Sequence, residues 1–236
     1  MQRRTEEPAM VIHRPDRRAA DMYLKETDAL VFIGDSITDA GRDRTDSASL
    51  GSGYVREIAR TLRARTSTGS GPAVINKGLA GNRVYDLESR WMSDVIDQRP
   101  TVVTVMIGIN DTWRRYDGGL ISPVDEFEAC LDRLLARTAR TLSVRLFVIT
   151  PFLLPVTPDQ GGWYEDLSPR TDAVLRAAQG NGAHVVRADL ALRRAAEERE
   201  AAELAPDGVH PSPLGHRLIA DAWLAAADAV TPDPSR

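Results

Sequence analysis

Cysteine is nearly missing from this chain, with Cys130 as its only thiol. An intrachain disulfide is therefore impossible, and a cysteine-built metal cluster is excluded with it. Cys130 falls on a helical stripe with Phe127, Leu131 and Leu134 and reads as a small core residue. Histidine is scarce as well, with four in the whole chain. A surplus of positive charge is also lacking. The net charge is −4 and the isoelectric point about 5.6, which argues against a nucleic-acid partner, since that would need a basic patch. The alternation of basic and aromatic residues used by single-strand binders is absent. No apolar run approaches the length that spans a bilayer, so no membrane partner is expected. The N-terminal arginines are not followed by the apolar segment of a secretory signal. These absences together predict a cytoplasmic protein.

What the chain does have is core material and a repeating order of elements. Hydrophobic residues make up 42% of its 236, enough for one sizeable core. Residues 1–27 are polar and charge-rich without firm periodicity, and read as an arm. Residues 28–230 read as a single domain. Short β-branched or aromatic runs at 30–33, 73–76, 101–107, 144–150 and 184–188 read as strands. Apolar stripes at 54–62, 84–96, 124–142, 167–179 and about 213–229 read as helices, with an Ala/Glu/Arg-rich helix after 188. Strand and helix alternate, so a five-stranded parallel sheet covered by helices on both faces is expected. Such sheets bind ligands outside the carboxyl ends of their strands. Gly51-Ser52-Gly53 lacks the Lys-Ser/Thr of a phosphate loop and reads as a flexible loop. The Pro/Gly-rich stretch 155–162 is long enough to be functional.

The first strand runs straight into Gly34-Asp35-Ser36. A glycine there lets the backbone turn sharply, and Ser36 then stands at the mouth of the sheet beside a helix N-terminus. Ser36 is either a nucleophile or a plain N-cap. A nucleophilic serine needs a base, and the base needs an orienting acceptor. Of the four histidines, only His210 has an acid at a fitting distance, Asp207. Pro211 biases His210 toward an extended form. Ser212 and Pro213 make an N-cap and first-turn pair, so the histidine is held on a turn that a helix anchors. His184 reads as a strand residue and His216 as a packed or surface residue of the last helix. A metal reading of Asp207 and His210 lacks further ligands. Donors for the oxyanion come from the Ser36 N–H, from Gly81, whose missing side chain permits close approach, and from the Asn110 side-chain amide. Their bland readings are a turn glycine and an Asx-turn. Trp113 and Tyr116 follow Asn110 and are either a sugar platform or loop packing.

These blocks, Gly34-Asp35-Ser36, Gly81, Gly108-Ile109-Asn110-Asp111 and Asp207-Gly208-Val209-His210, resemble the SGNH (GDSL) hydrolases from about residue 28 to 229. The resemblance implies a flavodoxin-like three-layer α/β/α sandwich and ester hydrolysis without metal or cofactor. It places the family's Ser, Gly, Asn and His on Ser36, Gly81, Asn110 and His210. Longer strings, among them Asn76-Lys77-Gly78 and Ile107 to Tyr116, are similar to the bacterial intracellular acetylxylan esterase branch. That branch implies an acetylated xylo-oligosaccharide or other small ester as substrate, and a homo-oligomer. The chain departs from it in a longer N-terminal arm and in Pro206, where a tryptophan is common. Rival readings are a lipolytic esterase of the same fold, an acyltransferase, and a non-catalytic carbohydrate-binding protein.

Overall fold

The computed structural model describes residues 24–66 and 69–229. The expected N-terminal arm lies outside the described residues as far as position 23. Five strands, β1 (Ala29–Gly34), β2 (Ala73–Gly78), β3 (Val102–Met106), β4 (Arg145–Ile149) and β5 (His184–Val186), form one sheet in the order β2-β1-β3-β4-β5. Every pairing is parallel. This is the flavodoxin-like order, in which the connections reverse direction between β1 and β3 and leave a crevice at their carboxyl ends.

The alternation of side chains along a strand splits the core in two. Leu30 and Phe32 of β1, with Phe147 and Ile149 of β4, face α2 (Tyr54–Arg65), α7 (Ala188–Ala195) and α9 (Pro213–Ala229). Val31 and Ile33, with Leu146 and Val148, face α3 (Val84–Trp91), α5 (Val124–Thr141) and α6 (Tyr164–Gly180). The three expected layers are present. Cys130 is buried in the second of these cores. Two buried polar contacts tie elements together: Trp223 Nε1 of α9 donates to Thr104 Oγ1 of β3 at 3.0 Å, and Trp91 Nε1 of α3 to Thr138 Oγ1 of the neighbouring helix α5 at 2.9 Å.

Several elements differ from the sequence reading. The helix expected over 84–96 is α-helical only to Trp91 and widens into a π-turn at Met92–Ile96. The stretch 155–162 is not a plain loop, because Pro158–Trp163 forms a 3-10 helix leading into α6. Asn110, Trp113 and Tyr116 sit on a helix, α4 (Ile109–Asp117), not in a loop. Gly108, at φ 122°, turns the chain directly from β3 into that helix. A one-turn helix α1 (Ser36–Asp39) follows β1, and α8 (Ala201–Leu204) precedes the Asp207 turn.

Candidate active site

Gly34 ends β1 where a Cβ would stand 2.3 Å from the Met106 carbonyl oxygen and 2.4 Å from Thr38 Oγ1. Only glycine lets α1 fold back this tightly, and the fold-back lifts Ser36 to the sheet edge. The N-cap of α1 is Asp35, whose Oδ1 accepts the Ile37 N–H at 3.0 Å. The serine is thereby free of the capping role. Asp35 Oδ2 is buried without a partner. Burial pushes this carboxyl up to about 7, against the smaller pull of the Ile37 N–H and of His210.

Ser36 Oγ lies 2.9 Å from His210 Nε2, and His210 Nδ1 lies 2.6 Å from Asp207 Oδ2. An ionised carboxylate only accepts, so Nδ1 carries the hydrogen and Nε2 accepts from the serine hydroxyl. The spacing of Asp207 and His210 works because the turn between them is tight. Asp207 Oδ1 accepts the N–H groups of Val209 at 2.9 Å and His210 at 2.7 Å. Burial raises the Asp207 carboxyl, but the His210 ring and these two N–H groups outweigh it and hold the group below its usual range. Ser212 Oγ accepts the Gly215 N–H at 3.2 Å at the start of α9, as the cap reading expects.

The donor loops arrive at the same edge. Leu79 N–H donates to the Gly34 carbonyl at 3.1 Å, which ties the end of β2 to the serine turn. Gly81 follows at φ 82°, and an added Cβ would meet only Arg114 Nη2 at 3.9 Å. A φ in this region favours glycine whatever the space around it. Neither the Ser36 nor the Gly81 N–H has an acceptor among the described residues. Asn110 is buried, and its Nδ2 donates to the Asn82 carbonyl at 3.1 Å, leaving a second amide hydrogen. The following Asp111 accepts the Ser122 hydroxyl at 3.0 Å and the Val84 N–H at the head of α3, and burial raises it to about 6.

A cavity of about 720 Å³ opens on Ser36 and His210. Its other walls include Arg42, Asp43, Arg44, Ala80 and His216, and no leucine, isoleucine, valine, methionine or aromatic carbon side chain lines it. Trp113 and Tyr116 do not line it either. Trp113 packs 5.7 Å from the His210 ring and 5.7 Å from Trp163, and Tyr116 stacks on Trp163 at 5.4 Å.

The GDSL-like lipase/acylhydrolase family model matches residues 32–218, from β1 into α9. The chain belongs to that family. An acetylxylan esterase of Geobacillus stearothermophilus is 36% identical over 211 residues, covering 86% of this chain and 95% of that protein. The crystal structure of Axe2, an acetylxylan esterase from the same organism, matches with a TM-score of 0.79 at 35% identity, over 86% of this chain and 95% of that one. LAE5, an α/β hydrolase enzyme from the metagenome of Lake Arreo, Spain, matches with a TM-score of 0.80 at 36% identity, over 89% and 99%. Catalytic mutants of Axe2 replace a serine, an aspartate and a histidine by alanine, the last two being three positions apart. This GDSL-family member is a carboxylester hydrolase.

Four residues around the site of this hydrolase carried no functional reading in the sequence. Arg90 donates from Nη2 to the Gly34 carbonyl at 3.0 Å, from Nη1 to the Lys77 carbonyl at 2.7 Å, and from Nε to Asn82 Oδ1 at 2.8 Å. Gln160 Nε2 donates to the Asp207 carbonyl at 2.6 Å, and its Oε1 accepts the Val156 N–H at 2.8 Å. Trp163 joins the aromatic cluster, and His216 joins the cavity. The Pro/Gly-rich character of 155–162 pointed toward Gln160. No local pattern marks the other three.

Proposed function

We propose that this enzyme removes acetyl groups from short xylo-oligosaccharides or similar sugar esters through an acyl-enzyme on Ser36. The observation that carries the reading is the continuous relay from Ser36 Oγ through the His210 ring to Asp207, with links of 2.9 and 2.6 Å. His210 Nε2 takes the serine proton as Oγ attacks the ester carbonyl. Asp207 fixes the tautomer and stabilises the imidazolium. The Ser36 N–H, the Gly81 N–H and the Asn110 amide hold the oxyanion. His210 then protonates the leaving alcohol and later activates the water that frees acetate and restores the serine. The Axe2 catalytic mutants, with their serine and their aspartate and histidine three apart, support these assignments.

The absence of large apolar side chains from the cavity wall supports a small acyl group over a lipid chain, which would need such side chains to bury it. Trp113 packs against the His210 ring and joins Trp163 and Tyr116 in one aromatic cluster, on which a second sugar ring would stack. The resemblance to the intracellular branch supports a cytoplasmic reaction. Hydrolysis of aryl esters of increasing acyl length tests the substrate reading. The acetate ester is expected to be cleaved best, with activity falling steadily from butyrate upward. A maximum at eight carbons or more would assign the enzyme to lipid esters instead.

A further inference from the structure

The cavity over Ser36 holds a second imidazole, and its chemistry is fixed by its surroundings. His216 Nδ1 accepts the Tyr54 N–H at 3.2 Å and so caps α2. The ring stacks on Tyr54, with centroids 6.4 Å apart and planes 20° from parallel. A Cβ at Gly53 would stand 2.7 Å from His216 Cε1 and 2.9 Å from Nδ1, so a larger residue there would displace the ring. A neutral imidazole has a single N–H, and an accepting Nδ1 puts that hydrogen on Nε2. Nε2 has no acceptor among the described residues and is not a buried, unpaired atom. Burial and the nearby His210 charge push the group down to about 4, against a weak pull from Glu57, so the ring stays neutral where His210 works as a base.

The position of the donor is as informative as its state. His210 must deliver its proton to the leaving oxygen, so the alcohol departs on the His210 side of Ser36. His216 lines the same cavity as Ser36, His210 and Pro211, whereas Gly81 and Asn110, assigned above to the acyl oxygen, do not line it. Arg42 and Asp43 add further polar groups to the same wall. We propose that His216 is a substrate-binding residue whose Nε2–H donates to a hydroxyl or ring oxygen of the leaving sugar, beyond the ester being cleaved. The proposal rests on the sugar-ester reading above and extends it to one named contact.

His216→Asn separates binding from capping. The Asn Oδ1 takes the place of Nδ1 as acceptor for the Tyr54 N–H, while the shorter side chain removes the outer donor. The readout is the ratio of kcat/KM on an acetylated xylobiose to kcat/KM on 4-nitrophenyl acetate, whose leaving group has no sugar oxygens. In His216→Asn this ratio is expected to fall about 3- to 10-fold, the scale of one lost neutral hydrogen bond. His216→Gln, whose amide reaches the Nε2 position, is expected to return it toward the wild-type value. A fall of less than threefold in the Asn variant, or equal falls in Asn and Gln, overturns the proposal. Wild-type enzyme that cleaves the aryl acetate but not the acetylated xylobiose would overturn the substrate reading, and this contact with it.

Discussion

Asp35 sits next to Ser36, yet its own ionisation is suppressed. The folded chain holds its proton up to about 7, whereas the ordinary value is 3.8. The unfolded chain therefore releases this proton first, and stability falls as pH rises between those two values before levelling above them. His216 runs the other way, with a folded value of about 4 against an ordinary 6.5. Its contribution is complete above 6.5 and is lost as pH falls toward 4. The two are separated by comparing wild type with Asp35→Asn, in which the His216 effect cancels. Urea unfolding at pH 5 and pH 8 is expected to show wild type losing on the order of 2–3 kcal/mol relative to the variant. Parallel behaviour of the two proteins would mean that Asp35 is charged in the folded state. At this scale the juxtaposition of Ser36, His210 and Asp207 was legible because its signals are local: the Gly-Asp-Ser turn, and an acid three residues before a histidine. His216 and Arg90 were not, because each acts across a long sequence distance, His216 on Tyr54 162 positions away and Arg90 on Gly34 56 positions away.

Two elements beyond the reacting groups hold the site in register. The π-turn of Met92–Ile96 follows the helix that carries Arg90, and the guanidinium ties the ends of β1 and β2 to the Asn82 loop. Asn82 in turn accepts the Asn110 amide. Arg90 touches no reacting atom and is a positioning residue. Arg90→Met would remove the guanidinium's bonds to the Gly34 and Lys77 carbonyls, Asn82 Oδ1 and Asp94 Oδ2 and let the proposed oxyanion loop drift. Loss of kcat by about 10- to 100-fold is expected, with a smaller change in KM, since the groups affected act mainly on the transition state. A rise in KM alone would show that Arg90 serves binding and not transition-state geometry. The 3-10 segment Pro158–Trp163 grips the other side of the site. Gly208, at φ 84°, passes so close to it that a Cβ would stand 2.7 Å from both Gln160 Oε1 and the Leu154 carbonyl. The sequence reading placed the strands and the last helix well but missed both of these devices. Hydrophobic periodicity fixes where an apolar face lies, whereas a π-turn or a 3-10 turn depends on how its hydrogen bonds are completed by distant partners.

Across the whole molecule the sheet order does the gathering. Serine, glycine and asparagine come from the ends of β1, β2 and β3, which are neighbours in the sheet, and the acid-base pair arrives from the turn before α9. That arrangement was legible from the alternation of strands and helices, because parallel connections leave few topologies to choose from. Which apolar side chains stay at the surface was not, since exposure is a property of the folded chain. Leu120 and Ile121, just after α4, are exposed, Ile121 at 71%. Exposed apolar side chains of this kind would suit the homo-oligomer that the family resemblance implies. Ile121→Asp is expected to lower the mass measured by light scattering to that of a smaller assembly or the monomer, and an unchanged oligomer would place the interface elsewhere. The most direct test of the whole account is labelling with a reactive phosphonate ester. Activity is expected to vanish in step with one adduct per chain, mapped by peptide mass to Ser36, and Ser36→Ala should neither label nor turn over above about a thousandth of the wild-type rate. An adduct on another residue, or a Ser36→Ala enzyme that keeps the wild-type rate, would contradict it.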